Sequence, residues 1–242
     1  MKTLFIREIS SFFSSLTGYL VLIVFLIVNG LFLWVFPGEM NISDSGYASL
    51  DTLFTISPWV FLFLVPAITM RSFADERKSG NLDLLLTRPL TEMHIIVSKY
   101  LANLCVAVIA LIPTLFYYIS IILLSGKNIV DHGAIMGSYF GLVLLAAIYT
   151  SIGIFSSTLT ENTVVAFIIA VLLCFLLYSG FGSIAYLSKE GATGSLIAGL
   201  GIEFHYNSMR KGVIDSRDLV YFLSVIAIFL LFSKIRLNSR KW

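Results

Sequence analysis

Scanned for Asp, Glu, Lys and Arg alone, the chain falls into long uncharged stretches at 9–38, 52–70, 100–126, 132–160, 162–188 and 219–233. Crossing about 30 Å of hydrocarbon takes roughly 20 apolar helical residues, so the first five are long enough to span. The sixth is shorter, yet Lys234 and Arg236 can snorkel to an interface while Ile235 and Leu237 extend its apolar face. The pattern predicts an all-α integral membrane protein of about six transmembrane helices, near 17–36, 53–71, 99–124, 135–156, 163–186 and 217–236. The first run follows a weakly basic start. It is too long for a signal peptide and has no convincing small-residue cleavage site, so it is expected to stay as the first span. With no linker, low-complexity tract or obvious repeat, residues 1–242 are read as one transmembrane domain.

Two segments depart from the spanning pattern. At 100° per residue, Phe5, Ile9, Phe12, Phe13 and Leu16 fall within an arc of about 100°, with Arg7, Ser10, Ser11 and Ser14 on the other side. That predicts an amphipathic interfacial helix over 1–16, lying flat on the membrane before the chain turns in near Gly18 and Tyr19. Gly191 to Ile202 is apolar but too short to cross and rich in glycine, so a short outer re-entrant or interfacial segment is expected between the fifth and sixth spans. Pro58, Pro66 and Pro113 lie within spans, where a kink and simple packing irregularity are both open. Gly137, Gly141 and Gly153, with Ser151, Ser156 and Ser157, suit the fourth span to close helix packing. Tyrosines near span ends fit belt anchoring, and Tyr117 and Tyr178 are candidate pore-lining residues.

Composition agrees with the pattern. Hydrophobic residues make up 58% of the chain and charged residues 12%, and the mean hydropathy is +0.93. A soluble domain carries far more charge, so membrane lipid is the expected surrounding. The net charge of +2 gives no reason to expect a nucleic-acid partner. With both termini inside, Lys2, Arg7, Arg71, Arg77, Lys78, Arg88, Lys99, Lys234, Arg236, Arg240 and Lys241 fall on the cytoplasmic side. The outer side then holds only Lys127, Lys189, Arg210, Lys211 and Arg217, as the positive-inside rule asks. Cys105 and Cys174 sit in apolar runs without metal-ligand or redox spacing, and His94, His132 and His205 are scattered; each reads as an ordinary residue rather than a ligand. No metal or cofactor site is expected on this chain. It also has no G-x-x-x-x-G-K-[ST] phosphate loop, so it is not expected to be an enzyme that hydrolyses ATP by that route. The uncharged stretches offer no carboxylate or base to bind a proton or sodium ion, which argues for an external energy source.

The densest charge lies in residues 71–99, the one long cytoplasmic loop of this topology. Gly80 should end a charged helix running on from the second span. Asn81 can cap a short helix with Asp83 in its first turn, Leu82, Leu85 and Leu86 make one apolar stripe, and Pro89 stops it. Thr91 then caps the next helix, with Glu92 in its first turn. A short helix with a leucine stripe is shaped for a partner's groove, although a solvated loop with leucines dipping into lipid has the same pattern. Glu161, with Asn162, sits in a tight turn on the same side and could make a second, smaller contact.

The run E-R-K-S-G-N-L-D-L-L-L-T-R-P-L-T followed by S-K-Y-L-A resembles the cytoplasmic loop of ABC-2 type permeases, the membrane subunits of ABC exporters. The matching positions are Glu76, Arg77, Gly80, Leu85, Leu86, Pro89 and Lys99; Asn81 and Ser98 stand where that family often has Thr and Gly. The 57–77 segment and the amphipathic N-terminus are similar too, in particular to the gliding-motility-associated permeases. The resemblance implies a short cytoplasmic coupling helix between spans 2 and 3, with Asp75, Glu76, Arg77, Gly80, Asn81, Leu82, Leu85, Leu86, Pro89 and Glu161 as ATPase-coupling residues. It implies a separate ABC ATP-binding subunit carrying ATP and Mg, and a second permease copy or a related membrane subunit with a large outer domain. It also implies the bacterial inner (cytoplasmic) membrane, multi-pass, and a role in gliding motility or cell-surface export. A non-transporting membrane scaffold or assembly factor for a cell-envelope complex is the alternative, and an intramembrane enzyme lacks the clustered catalytic residues it would need.

Overall fold

The computed structural model of the chain describes residues 2–44, 49–81, 91–125, 130–187 and 192–239. Among them every regular element is helical. Helix α1 (Lys2–Phe13) is separate from α2 (Leu16–Gly30), which continues through a π-helical turn at Leu31–Val35. Helix α3 (Asp51–Thr69) runs on into α4 (Arg71–Lys78). Helix α5 (Glu92–Leu111) passes through a 3₁₀ turn at Ile112–Thr114, centred on Pro113, into α6 (Leu115–Ser125). Helix α7 (His132–Leu159) is unbroken, and α8 (Thr163–Phe175) continues through a π turn at Leu176–Gly180 into α9 (Phe181–Leu187). The short helices α10 (Ala192–Ala198) and α11 (Ile202–Arg210) precede α12 (Ser216–Asn238).

Six of these runs are long and apolar enough to cross a bilayer: Gly18–Val35, Asp51–Lys78, Glu92–Ser125, His132–Leu159, Thr163–Leu187 and Ser216–Asn238. The chain is thus an all-helical, multi-pass membrane protein with about six spans, the architecture in which each segment satisfies its own backbone in lipid. Helix α7 is the hub. Its most apolar window is 78% buried, against 17% for α12, and it touches α3, α4, α5, α8, α11 and α12.

Small residues make that hub possible. A Cβ added at Gly153 would lie 2.0 Å from Thr69 Oγ1, so α7 and α3 approach as closely as they do only because position 153 has no side chain. Thr150 and Ser156 are fully buried but donate to carbonyls four residues back in their own helix, at 2.7 and 2.9 Å. Their polarity is satisfied locally, and they offer neighbours only a small surface.

The segment before α12 carries two short helices, α10 and α11. Polar on paper, Glu203 to Arg210 forms α11, which wedges between α3 and α7 with Tyr206 and Met209 buried. Pro58 has no N–H to give the Phe54 carbonyl, four residues back in α3. Tyr206 supplies the donor instead, its hydroxyl lying 2.8 Å from that oxygen. Burial raises the Tyr206 phenol well above its ordinary pKa, so it keeps its proton. Arg210 reaches Thr55 Oγ1 at 2.8 Å, and Ser138 of α7 donates to the Arg210 carbonyl at 2.7 Å. His205 Nδ1 meets Asp218 at 2.7 Å and stacks on Tyr221, which ties α11 to α12.

Candidate functional site: a buried ion cluster where α1, α4 and α5 meet

At the end of the bundle where α4 stops and α5 begins, α1 packs along α5. Leu4 and Glu8, one helical turn apart, face inward; Leu4 is 9% exposed and the Glu8 side chain 17%. Opposite them lies Lys99, in the second turn of α5, with its side chain 1% exposed. A lysine ammonium has three hydrogens to place. Here it has three oxygens: Glu8 Oε1 at 2.9 Å, Glu76 Oε1 at 3.0 Å and the Ser72 carbonyl at 2.7 Å. One turn further along α5, Asn103 donates to Ser72 Oγ at 2.7 Å and to the Lys99 carbonyl at 2.9 Å. Lys99 therefore joins α1, α4 and α5 at a single atom.

Arg7 completes the cluster from the solvent side. Its guanidinium reaches Glu8 at 2.9 Å and Glu76 at 2.7 Å, so two carboxylates face two cations. Burial alone would lower the Arg7 pKa, but the two glutamates outweigh it and the net shift is upward. The other Glu76 oxygen is buried and has no partner among the described residues. The next residue, Arg77, points across the bundle: it donates to the Thr158 carbonyl at 2.6 Å and sits 3.8 Å from Glu161. Consecutive residues of α4 thus grip different partners, Glu76 the α1–α5 pair and Arg77 the end of α7.

Of the predicted coupling residues, Glu76 joins the Lys99 cluster and Arg77 meets Glu161 on a different side, while Asp75 is exposed on α4. Gly80 ends α4 with φ +70°, as its position suggested, and Asn81 follows it, exposed. Thr91 caps α5 by accepting from the His94 amide, and Glu92 lies in the first turn. Leu82, Leu85, Leu86 and Pro89 lie outside the described residues, and with them the expected coupling helix.

Phe5, Ile9, Phe12 and Phe13 are partly buried on α1, which turns its Leu4–Glu8 edge to the protein. Two expectations are corrected. Leu16 is 83% exposed and begins α2, because the chain turns at Ser14 and Ser15 rather than near Gly18. The uncharged stretches stop short of the helix ends, so the helices themselves do bury ionisable groups: Lys99 at 1% exposed and Asp218 at 6%. The Tyr117 hydroxyl donates to the Leu26 carbonyl at 3.2 Å, and Tyr178 packs within an aromatic cluster with Trp59, Tyr149 and Tyr206. Glu8 was missed, although its place one turn after Leu4 was readable in the sequence.

Residues 17–241 match the family described as ABC-2 family transporter protein. The chain belongs to that family. ABC-2 proteins are membrane components of ABC transporters, and the family carries with it an ATP-binding partner. No curated protein matches the chain. In this ABC-2 protein the matched region contains Glu76, Arg77, Lys99 and Glu161, whereas Arg7 and Glu8 precede it.

Proposed function

We propose that this chain is the membrane-spanning permease subunit of an ATP-driven exporter, coupling ATP hydrolysis on a separate subunit to movement of its spans. The observation that carries this reading is the seat of Lys99, held by Glu8, Glu76 and the Ser72 carbonyl where α1, α4 and α5 meet. Both α4 and α5 lead out of residues 82–90, whose leucine stripe suits a partner's groove. A push on that segment would reach α3 through α4, the bundle centre through Arg77 and Thr158, and α1 through Lys99. Charge-assisted contacts at 2.6–3.0 Å transmit displacement with little slack.

In this reading the α1 end faces the cytoplasm of a bacterial inner membrane, both termini lie on that side, and ATP and Mg are held by the partner. Two permease units, or this chain with a related membrane subunit bearing a large outer domain, complete the pathway. The resemblance of the 76–99 segment supports a role in gliding motility or cell-surface export. The test is co-purification with the ATP-binding subunit, with ATPase activity measured in liposomes. Leu85→Arg and Glu76→Arg are expected to abolish association and ATPase stimulation. Undiminished stimulation in both variants would sink the coupling mechanism, and a wild-type complex that moves no cargo would favour the scaffold.

A further inference from the structure

At the opposite end of the bundle, a cleft of about 610 Å³ opens between the π turn with α9 on one side and α10 with α11 on the other. That is the size of a small-molecule site. Its lining combines three aromatic rings (Tyr178, Tyr186 and Phe204) with four non-aromatic oxygen-bearing side chains (Ser179, Ser183, Glu203 and Asn207). Tyr178 is carried by the π-helical turn, a local irregularity frequent at functional sites, and its ring is fixed by Trp59 at 5.5 Å. Glu203 belongs to the first turn of α11, where a carboxylate suits the helix dipole. Its Oε2 nevertheless reaches across the cleft to Gly182, where an added Cβ would lie 3.6 Å away. No cation among the described residues forms an ion pair with Glu203. Ser183 gives its hydrogen to the Ser179 carbonyl at 3.1 Å, which leaves its lone pairs free to accept.

A carboxylate, a hydroxyl oxygen and an amide oxygen beside aromatic faces form the chemistry that receives an ammonium group. The geometry points to a binding site for the primary-ammonium headgroup of a zwitterionic phospholipid, with Glu203 as counter-ion, Ser183 and Asn207 as acceptors, and Tyr178, Tyr186 and Phe204 as aromatic walls. Three acceptors match the three hydrogens of a primary ammonium, which a trimethylated headgroup lacks. The apolar surroundings choose a lipid over a soluble amine. The cleft lies at the end of a membrane span; Leu187 in its lining is 79% exposed, and Leu196 and Leu200, close in sequence to its lining residues Ala198 and Gly201, are 74% and 58% exposed. This site is independent of the coupling reading, since none of its residues belongs to the ion cluster.

The test is native mass spectrometry of the purified protein from nanodiscs of phosphatidylglycerol mixed with either phosphatidylethanolamine or phosphatidylcholine. The wild type is expected to retain phosphatidylethanolamine above both other lipids. Glu203→Gln should cut that preference by roughly tenfold or more, the scale of one charged hydrogen bond. Tyr186→Ala, at a position 89% exposed, cannot disturb the core and should cut it several-fold. Free ethanolamine at matched concentration should not displace the lipid. Equal retention of all three lipids by the wild type, or an unchanged preference in Tyr186→Ala and in a Glu203→Gln protein of normal melting profile, would overturn the site. Displacement by free ethanolamine would overturn its assignment to lipid.

Discussion

Replacing Lys99 by Met keeps the stem and removes the charge that three oxygens share. Glu8 and Glu76, with side chains 17% and 16% exposed, would then face each other with only Arg7 as counter-ion. Removing one partner of a buried ion pair costs about 3–5 kcal/mol. Arg7 stays in contact but is 53% exposed, so it returns no more than ~1 kcal/mol of that. The docking of α1 on α5 should weaken by ~3 kcal/mol, about a hundredfold in the opening equilibrium at ~1.4 kcal/mol per tenfold. Leu4 is buried under α1, so Leu4→Cys in a background lacking Cys105 and Cys174 reports opening through its rate of maleimide labelling. Lys99→Met should raise that rate about a hundredfold. Neutralising the carboxylates as well (Glu8→Gln, Glu76→Gln and Lys99→Met together) should bring it back to within a few-fold of wild type, because a fully neutral cluster leaves no stranded charge. A wild-type rate in Lys99→Met, or a triple variant as open as the single one, would refute charge balance as what holds α1 in place.

Three further outcomes follow from other contacts. Arg77→Gln breaks the 2.6 Å bond to the Thr158 carbonyl and should cost about 1.5–3 kcal/mol, whereas Glu161→Gln, at 60% exposed, should cost under ~1 kcal/mol; melting in detergent followed by size exclusion compares them. Gly153→Ala should destabilise the α3–α7 contact by about 1–3 kcal/mol, and Thr69→Ala should relieve part of it by removing the oxygen 2.0 Å from the new Cβ. Tyr206→Phe leaves the Phe54 carbonyl without its donor, at about 1–3 kcal/mol, and Pro58→Ala should rescue it by restoring the N–H. Because burial raises the Tyr206 pKa, its hydroxyl stays a donor as pH rises, so the penalty should be equal at neutral and moderately alkaline pH in the same melting assay.

What could be read in the sequence was whatever repeats or punctuates locally. Uncharged length announced the spans, Gly80 and Thr91 marked where α4 stops and α5 starts, and the small residues of α7 signalled close packing. Charge counting worked against the site. A lysine in a polar loop looks solvated, yet Lys99 is buried because α5 begins before it and α1 folds over it, bringing Glu8 from 91 positions away. Periodicity puts Phe5 and Ile9 on one apolar face of α1, while the edge that meets protein carries Leu4 and the Glu8 that pairs with Lys99. The same blindness applies at the other end. A proline in a span announces a missing donor but not who replaces it, and the replacement, Tyr206, lies 152 positions from the Phe54 carbonyl it serves, in a stretch too polar to look like core. The two ends therefore share one logic: each places a polar side chain from a short helix against a polar group that a membrane span cannot satisfy itself, the Lys99 ammonium through Glu8 of α1 and the Phe54 carbonyl through Tyr206 of α11. If that is why short helices clasp the bundle at both ends, Glu8→Leu and Tyr206→Phe should each loosen only the helix that carries the substitution, and hydrogen exchange that loosened both helices in either variant would argue against separate clasps.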